Sequence, residues 1–206
     1  MLMCLTFVKN NDIYPITDRL IPSSEKIQLL GHKGMVFWFY GLSGSGKSTL
    51  ALEVEKKLHR DGKISVLLDG DNLRTGLNKD LGFSDTDREE NIRRVSEVAS
   101  ILCSNGLIVL VSLITPLKKF RANARSIIGA NHFKEIFVKA SFTTCKKRDV
   151  KGLYAKAIEG KVKSFTGKTS DFEEPDQADL IINSEKESKI ESVEKVYQFL
   201  HQAITL

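Results

Sequence analysis

The chain has 206 residues, 41% hydrophobic and 28% charged, with a formal net charge of +5. That balance suits one soluble domain large enough for a proper core, and no apolar run approaches the length of a bilayer span. Cys4, Cys103 and Cys145 are odd in number and widely spaced, which excludes a disulfide framework or a zinc motif and suits reduced thiols in the cytoplasm. The basic surplus is spread along the sequence. A pocket for a small polyanion explains it as well as nucleic acid does, so neither nucleic acid nor a membrane is an expected partner.

Residues 1–34 carry little periodicity, and Pro15 and Pro22 interrupt them, so this stretch reads as an irregular arm before a domain at 35–206. Its start, Met1–Val8, is apolar but has no basic residue ahead of it, a poor signal peptide. An apolar run at 35–40 then leads into Gly41-Leu42-Ser43-Gly44-Ser45-Gly46-Lys47-Ser48-Thr49. This matches G-x-x-x-x-G-K-[ST] between a strand and a helix, the context that pattern requires. Backbone N–H groups can wrap a phosphate only where no Cβ blocks the approach, and the following helix adds its positive end. Lys47 is expected to reach the β- and γ-phosphates of a nucleoside triphosphate, and Ser48 to ligate Mg²⁺.

The next strand ends in Leu68-Asp69-Gly70-Asp71-Asn72-Leu73-Arg74. Two carboxylates arriving beside the phosphate loop can divide the work, one in a metal shell and one taking a proton from an acceptor hydroxyl. Asp71 is the favoured base and Asp69 the metal organiser, with the roles exchangeable, and Arg74 can clamp an anion. A helix is expected over 86–105, capped by Thr86 with Glu89 closing a capping box, and ended by Gly106 at C′. Ile92, Val95, Val98, Ala99 and Leu102 form its buried face, while Arg88 and Asn91 share one side near its start. Further apolar runs at 64–68, 107–111, 133–138 and 180–182 alternate with helical patterns. They predict an α/β fold, a three-layer doubly wound parallel sheet of the P-loop NTPase kinase type. Segment 141–178 is basic and glycine-containing, and reads as a solvated, mobile lid over bound phosphates.

Asp69–Arg74 followed by Gly76–Ser84, then Asp87–Arg94, resembles the adenylylsulfate kinase family over roughly residues 10–200. Arg148–Tyr154 and Phe165-Thr166-Gly167 look like that family's lid signatures, and Phe172-Glu173-Glu174-Pro175 like the element after them. The resemblance implies phosphorylation of the 3′-hydroxyl of adenosine 5′-phosphosulfate (APS) by ATP, with Mg²⁺, in a homodimer. It places Arg74, Arg88, Asn91, Ile114 and Lys151 at the substrate, with Phe83 and Phe165 stacking on its purine. It places Arg148 at the nucleotide. The family usually has serine where this chain has Thr115, and bacterial members are often assigned a phosphoserine there. Thr115 keeps the hydroxyl with a χ1-restricting methyl, but direct in-line transfer requires no covalent intermediate, so it reads as a residue lining the site. Leu117–Arg121 also departs from the family pattern, although Arg121 and Arg125 keep two basic groups one turn apart. Another small-metabolite kinase, a binding or switch protein without turnover, and an inactive copy stay open as alternatives.

Overall fold

Strand β1, Met35–Tyr40, is buried at all six residues, which explains its lack of polar alternation: both faces of the strand are covered. The computed structural model describes residues 13–149, 152, 154, 166 and 171–206. In it β1 is central in a five-stranded parallel sheet with β2 (Ser65–Asp69), β3 (Ile108–Ser112), β4 (Phe133–Lys139) and β5 (Leu180–Asn183), in the order β2-β3-β1-β4-β5. Alternate β1 side chains serve separate cores. Phe37 and Phe39 pack with α2 (Lys47–Arg60) and α7 (Lys189–Ile204), whereas Val36, Trp38 and Tyr40 pack with α4 (Asp85–Ser104) and α5 (Lys118–Ile128). That is the doubly wound, three-layer arrangement expected from the alternating runs.

In register, Asp69 pairs with Ser112 and Ser112 with Phe39, so three neighbouring strands end at one level. Helix α2, the short α3 (Gly70–Arg74) and the loop after β3 all start from that edge. In an open parallel sheet this carboxyl edge is where ligands bind.

Three local expectations change. Helix α4 is capped by Ser84, not Thr86, with Asp87 rather than Glu89 completing the capping box. Ser84 Oγ accepts from Asp87 N at 3.1 Å and Asp87 Oδ2 accepts from Ser84 N at 3.3 Å, an arrangement that stabilises the helix by about 1 kcal/mol. The stretch read as irregular contains α1 (Ser23–Leu30), which starts after Pro22 and ends at Gly31 in the left-handed conformation. The segment read as solvated begins with a packed helix, α6 (Phe142–Arg148), whose Cys145 is buried with Tyr154. Downstream, Phe172 stacks on Phe137 at 5.9 Å. Cys103 lies in the core, as its place in the helical pattern suggested.

Candidate active site

The glycine-rich loop after β1 is shaped by backbone that other residues do not tolerate. Gly41 has φ +145°, and a Cβ there would lie 2.4 Å from the Val138 carbonyl oxygen. Gly44, at φ +77°, runs close against the backbone of Cys145. Lys47 curls back over the loop and donates from Nζ to the Leu42 carbonyl at 2.8 Å. Tyr154 Oη donates to the Ser43 carbonyl at 2.7 Å. Arg148 donates to the Ser184 carbonyl at 2.6 Å and to its hydroxyl at 3.0 Å, while the Ser184 hydroxyl donates to the Ser45 carbonyl at 2.8 Å. The loop is thus braced by Arg148 at the end of α6, by Tyr154, and by Ser184 just after β5.

At the strand edge, Ser48 Oγ donates to Asp69 Oδ2 at 2.6 Å and lies 3.0 Å from Ser112 Oγ. Asp69 Oδ1 accepts from the Asp71 N–H at 3.1 Å, which caps α3. Both oxygens of Asp69 are therefore committed to neighbours, and Asp71 carries the second carboxylate outward along the cavity wall. Among the described residues no three His, Cys, Asp or Glu side chains are gathered as a metal cage. The hydroxyl–carboxylate pair Ser48–Asp69 supplies hard oxygen donors of the kind Mg²⁺ takes alongside water and phosphate.

These groups open onto one cavity of about 880 Å³. It is lined on one side by Ser43–Leu50, Arg148 and Ser184, and on the other by Asp69–Asp71, Arg74, Phe83, Arg88, Asn91 and Ser112–Pro116. Phe83 is 57% exposed, with the Arg74 guanidinium 4.4 Å from its ring centre. Arg74 Nη1 donates to the carbonyls of Leu81 and Gly82, both at 2.9 Å, so this side chain shapes the loop that presents Phe83. Arg88 reaches the same loop through the Phe83 carbonyl at 3.0 Å and donates to the Thr166 hydroxyl at 2.8 Å. Burial pulls both guanidinium pKa values below the ordinary arginine value, yet arginine stays charged, so the wall holds two partly desolvated cations.

The loop after β3 is held from every side. The Gly41 N–H donates to the Ile114 carbonyl at 3.3 Å. Thr115, 2% exposed, adopts φ +41°, a left-handed conformation unusual for a β-branched residue. Its hydroxyl accepts from the buried Trp38 indole N–H at 2.8 Å, and its carbonyl accepts from Arg121 at 2.9 Å. Arg121 also donates to the Glu173 carbonyl at 2.9 Å, and the Glu173 carboxylate accepts from the Lys118 N–H at 2.6 Å.

A sequence profile of the adenylylsulphate kinase family matches residues 33–183. The chain belongs to that family. An adenylyl-sulfate kinase from Bacteroides fragilis is 46% identical over 192 residues, covering 93% of this chain and 95% of its own length. A probable adenylyl-sulfate kinase from Halalkalibacterium halodurans is 48% identical over 169 residues, or 82% of this chain and 84% of its own. Among solved structures, the Mycobacterium tuberculosis APS kinase CysC in complex with AMPPNP and APS superposes with a TM-score of 0.78 at 46% identity, covering 82% of this chain and 98% of that one.

Among adenylylsulphate kinase positions read from the sequence, the cavity gathers Ser43–Thr49, Asp69, Asp71, Arg74, Phe83, Arg88, Asn91, Ile114, Thr115 and Arg148. Gly41 and Leu42 form the base of the loop, bonded to Ile114 and Lys47. Lys151 and Phe165 lie outside the described residues. Tyr154 is read from the sequence only as the end of a lid signature, and Trp38, Ser112 and Ser184 are given no site role there. Ser112 carries a local signal, a lone hydroxyl closing an apolar strand, but all four act through partners far away in the chain.

Proposed function

We propose that this chain phosphorylates the 3′-hydroxyl of APS with ATP, giving 3′-phosphoadenosine 5′-phosphosulfate and ADP. The observation that carries the reading is the single cavity joining a phosphate loop to a wall with two arginines, an exposed phenylalanine and a second carboxylate. Family membership supports the same conclusion.

The glycine loop cradles the ATP phosphates with its N–H groups, and Lys47 stabilises charge on the β- and γ-phosphates as it moves to the leaving group. Ser48 and Asp69 would hold Mg²⁺, which would supply charge neutralisation on the phosphates when bound. With Asp69 committed to Ser48 and the α3 N-terminus, Asp71 takes the role of base toward the acceptor hydroxyl. Arg148 stands by the nucleotide. Arg88 and Asn91 receive the phosphosulfate with Arg74, Ile114 lines the same pocket, and Phe83 offers a ring to the purine. Lys151 and Phe165 complete this set on family grounds. Transfer is direct in this reading, since in-line displacement needs no covalent intermediate, and the Thr115 hydroxyl accepts from the Trp38 indole N–H.

The reading includes residence in the cytoplasm, which two buried free thiols suit, and a homodimer, for which the exposed Ile13, Tyr14, Ile16 and Ile21 offer apolar contact surface. No helix among the described residues is long and apolar enough to cross a membrane. The test is to incubate the purified chain with ATP, Mg²⁺ and APS, and to separate nucleotides chromatographically. Formation of the 3′-phosphorylated product with equimolar ADP is expected. Turnover of a different acceptor hydroxyl with none of APS would overturn the reading.

A further inference from the structure

Asn78 has no assigned part in the chemistry, yet it is fully buried in the turn between α3 and α4. Its backbone is fixed there, with N–H donating to the Leu73 carbonyl at 2.8 Å and C=O accepting from Leu81 N at 3.1 Å. Its side-chain amide points at the active site from behind. Nδ2 donates at 3.0 Å to Oδ1 of Asn91, which is 5% exposed and lines the cavity. Asn78 Oδ1 accepts no hydrogen bond among the described residues.

An asparagine amide has one acceptor end and one donor end, and which end faces a ligand decides whether it attracts an anion. Left alone in a cavity wall, Asn91 can present either. With its oxygen engaged by Asn78, the NH₂ group is the end left for the cavity. The reverse pairing would strand both N–H groups of Asn78 in the core, and orphaned buried N–H groups are rarer than under-satisfied carbonyls. The observed sense instead leaves Asn78 Oδ1 as the atom without a partner among the described residues, so it is the preferred one.

We infer that Asn78 is a positioning residue that sets the polarity of Asn91, holding it as a hydrogen-bond donor toward the anionic phosphosulfate of the acceptor. This rests on the proposed APS kinase reading. A competing role exists for Asn78 as a plain staple, because the same turn is already tied to α4 by Arg94, which bonds Asp80 at 2.8 and 2.9 Å and the Leu77 carbonyl at 3.1 Å. That second tie lets the turn hold its place when Asn78 is cut back, so the two roles separate experimentally.

The experiment is a double-mutant cycle on the full chain, with KM for APS and for ATP measured separately and folding checked by thermal melting. Asn78→Ala is expected to raise KM for APS about tenfold, the scale of one hydrogen bond to a charged group, with KM for ATP unchanged. In an Asn91→Ala background the same change should add nothing further. Asn91→Asp keeps the bond from Asn78 and turns the donor facing the cavity into an anionic oxygen, so it reads the polarity of that position if Asn78→Ala fails to fold. It should weaken APS binding at least as much as Asn91→Ala does. An equal loss from Asn78→Ala in both backgrounds, a parallel rise in both KM values, or normal APS binding by Asn91→Asp overturns the inference. An unmodified chain without APS turnover overturns the functional reading instead.

Discussion

The two walls of the cavity are built on opposite principles. The ATP wall is mostly backbone: a nine-residue loop, Gly41–Thr49, whose form follows from glycines at positive φ and the helix that starts at Lys47. The acceptor wall is mostly side chain, drawn from α3, α4, the 76–84 turn and the loop after β3, and held by bonds such as Trp38 to Thr115 that span 77 residues. A backbone site tolerates change only where no Cβ is added. A side-chain site is graded, since each member can be trimmed and its partner reads the loss.

The largest effect should come from the junction of the walls. Asp71→Asn removes the proposed base and should lower kcat by about 10²- to 10⁴-fold while ATP binding, followed by nucleotide titration, persists. Near-normal turnover in that variant would sink the assignment. Next, Gly41→Ala places a methyl against the Val138 carbonyl and should abolish ATP binding, with APS binding retained to the extent that the folded state survives; calorimetry with each nucleotide reads the difference. Equal loss of both ligands would mean the walls are not separable.

Thr115→Val gives a subtler break. It strands the buried Trp38 N–H and should destabilise the fold by about 1–3 kcal/mol, read by denaturant unfolding, with turnover reduced only in proportion to misplacement of the loop. Thr115→Ser should behave like the parent. Complete loss of turnover in the valine variant alone would restore a covalent role for the hydroxyl.

The smallest effect is electrostatic. Bonds from Arg93 and Arg94 hold the Glu90 carboxyl well below the usual range, at about 2. A carboxylate whose pKa is depressed in the folded state adds stability that is fully present above its ordinary pKa and fades as pH falls through the folded value. The melting-temperature gap between the parent and Glu90→Gln should therefore be full at neutral pH and shrink from about pH 4.5 toward pH 2. A gap independent of pH would locate the effect in packing.

This contrast also explains what could be read from the sequence. The strands and phosphate loop were legible because their signals are local: apolar runs of a few residues, and glycines at fixed spacing. The start of α4 was misplaced because Ser84–Asp87 and Thr86–Glu89 both satisfy the capping spacing, and the choice between them is tertiary. Arg88 Nε bonds the Phe83 carbonyl and fixes where the chain enters the helix. Helix α1 is hidden in the sequence because Pro22 reads as an interruption, although proline is well tolerated at a helix start. On the acceptor wall, residue types suggested anion binding, but the partners that orient them, Trp38 and Asn78, have no signature of their own.

The central strand carries a cost that appears only when the chain is not folded. Met-Val-Phe-Trp-Phe-Tyr is six apolar and aromatic residues without charge or proline, the composition of a segment that stacks with copies of itself. Its two native neighbours, β3 and β4, arrive about 70 to 100 residues later in the chain, so it waits uncovered while distant pairings form. Refolding yield should therefore fall steeply with protein concentration, with Lys33 and Lys47 as the nearest charges on either side to oppose the stacking.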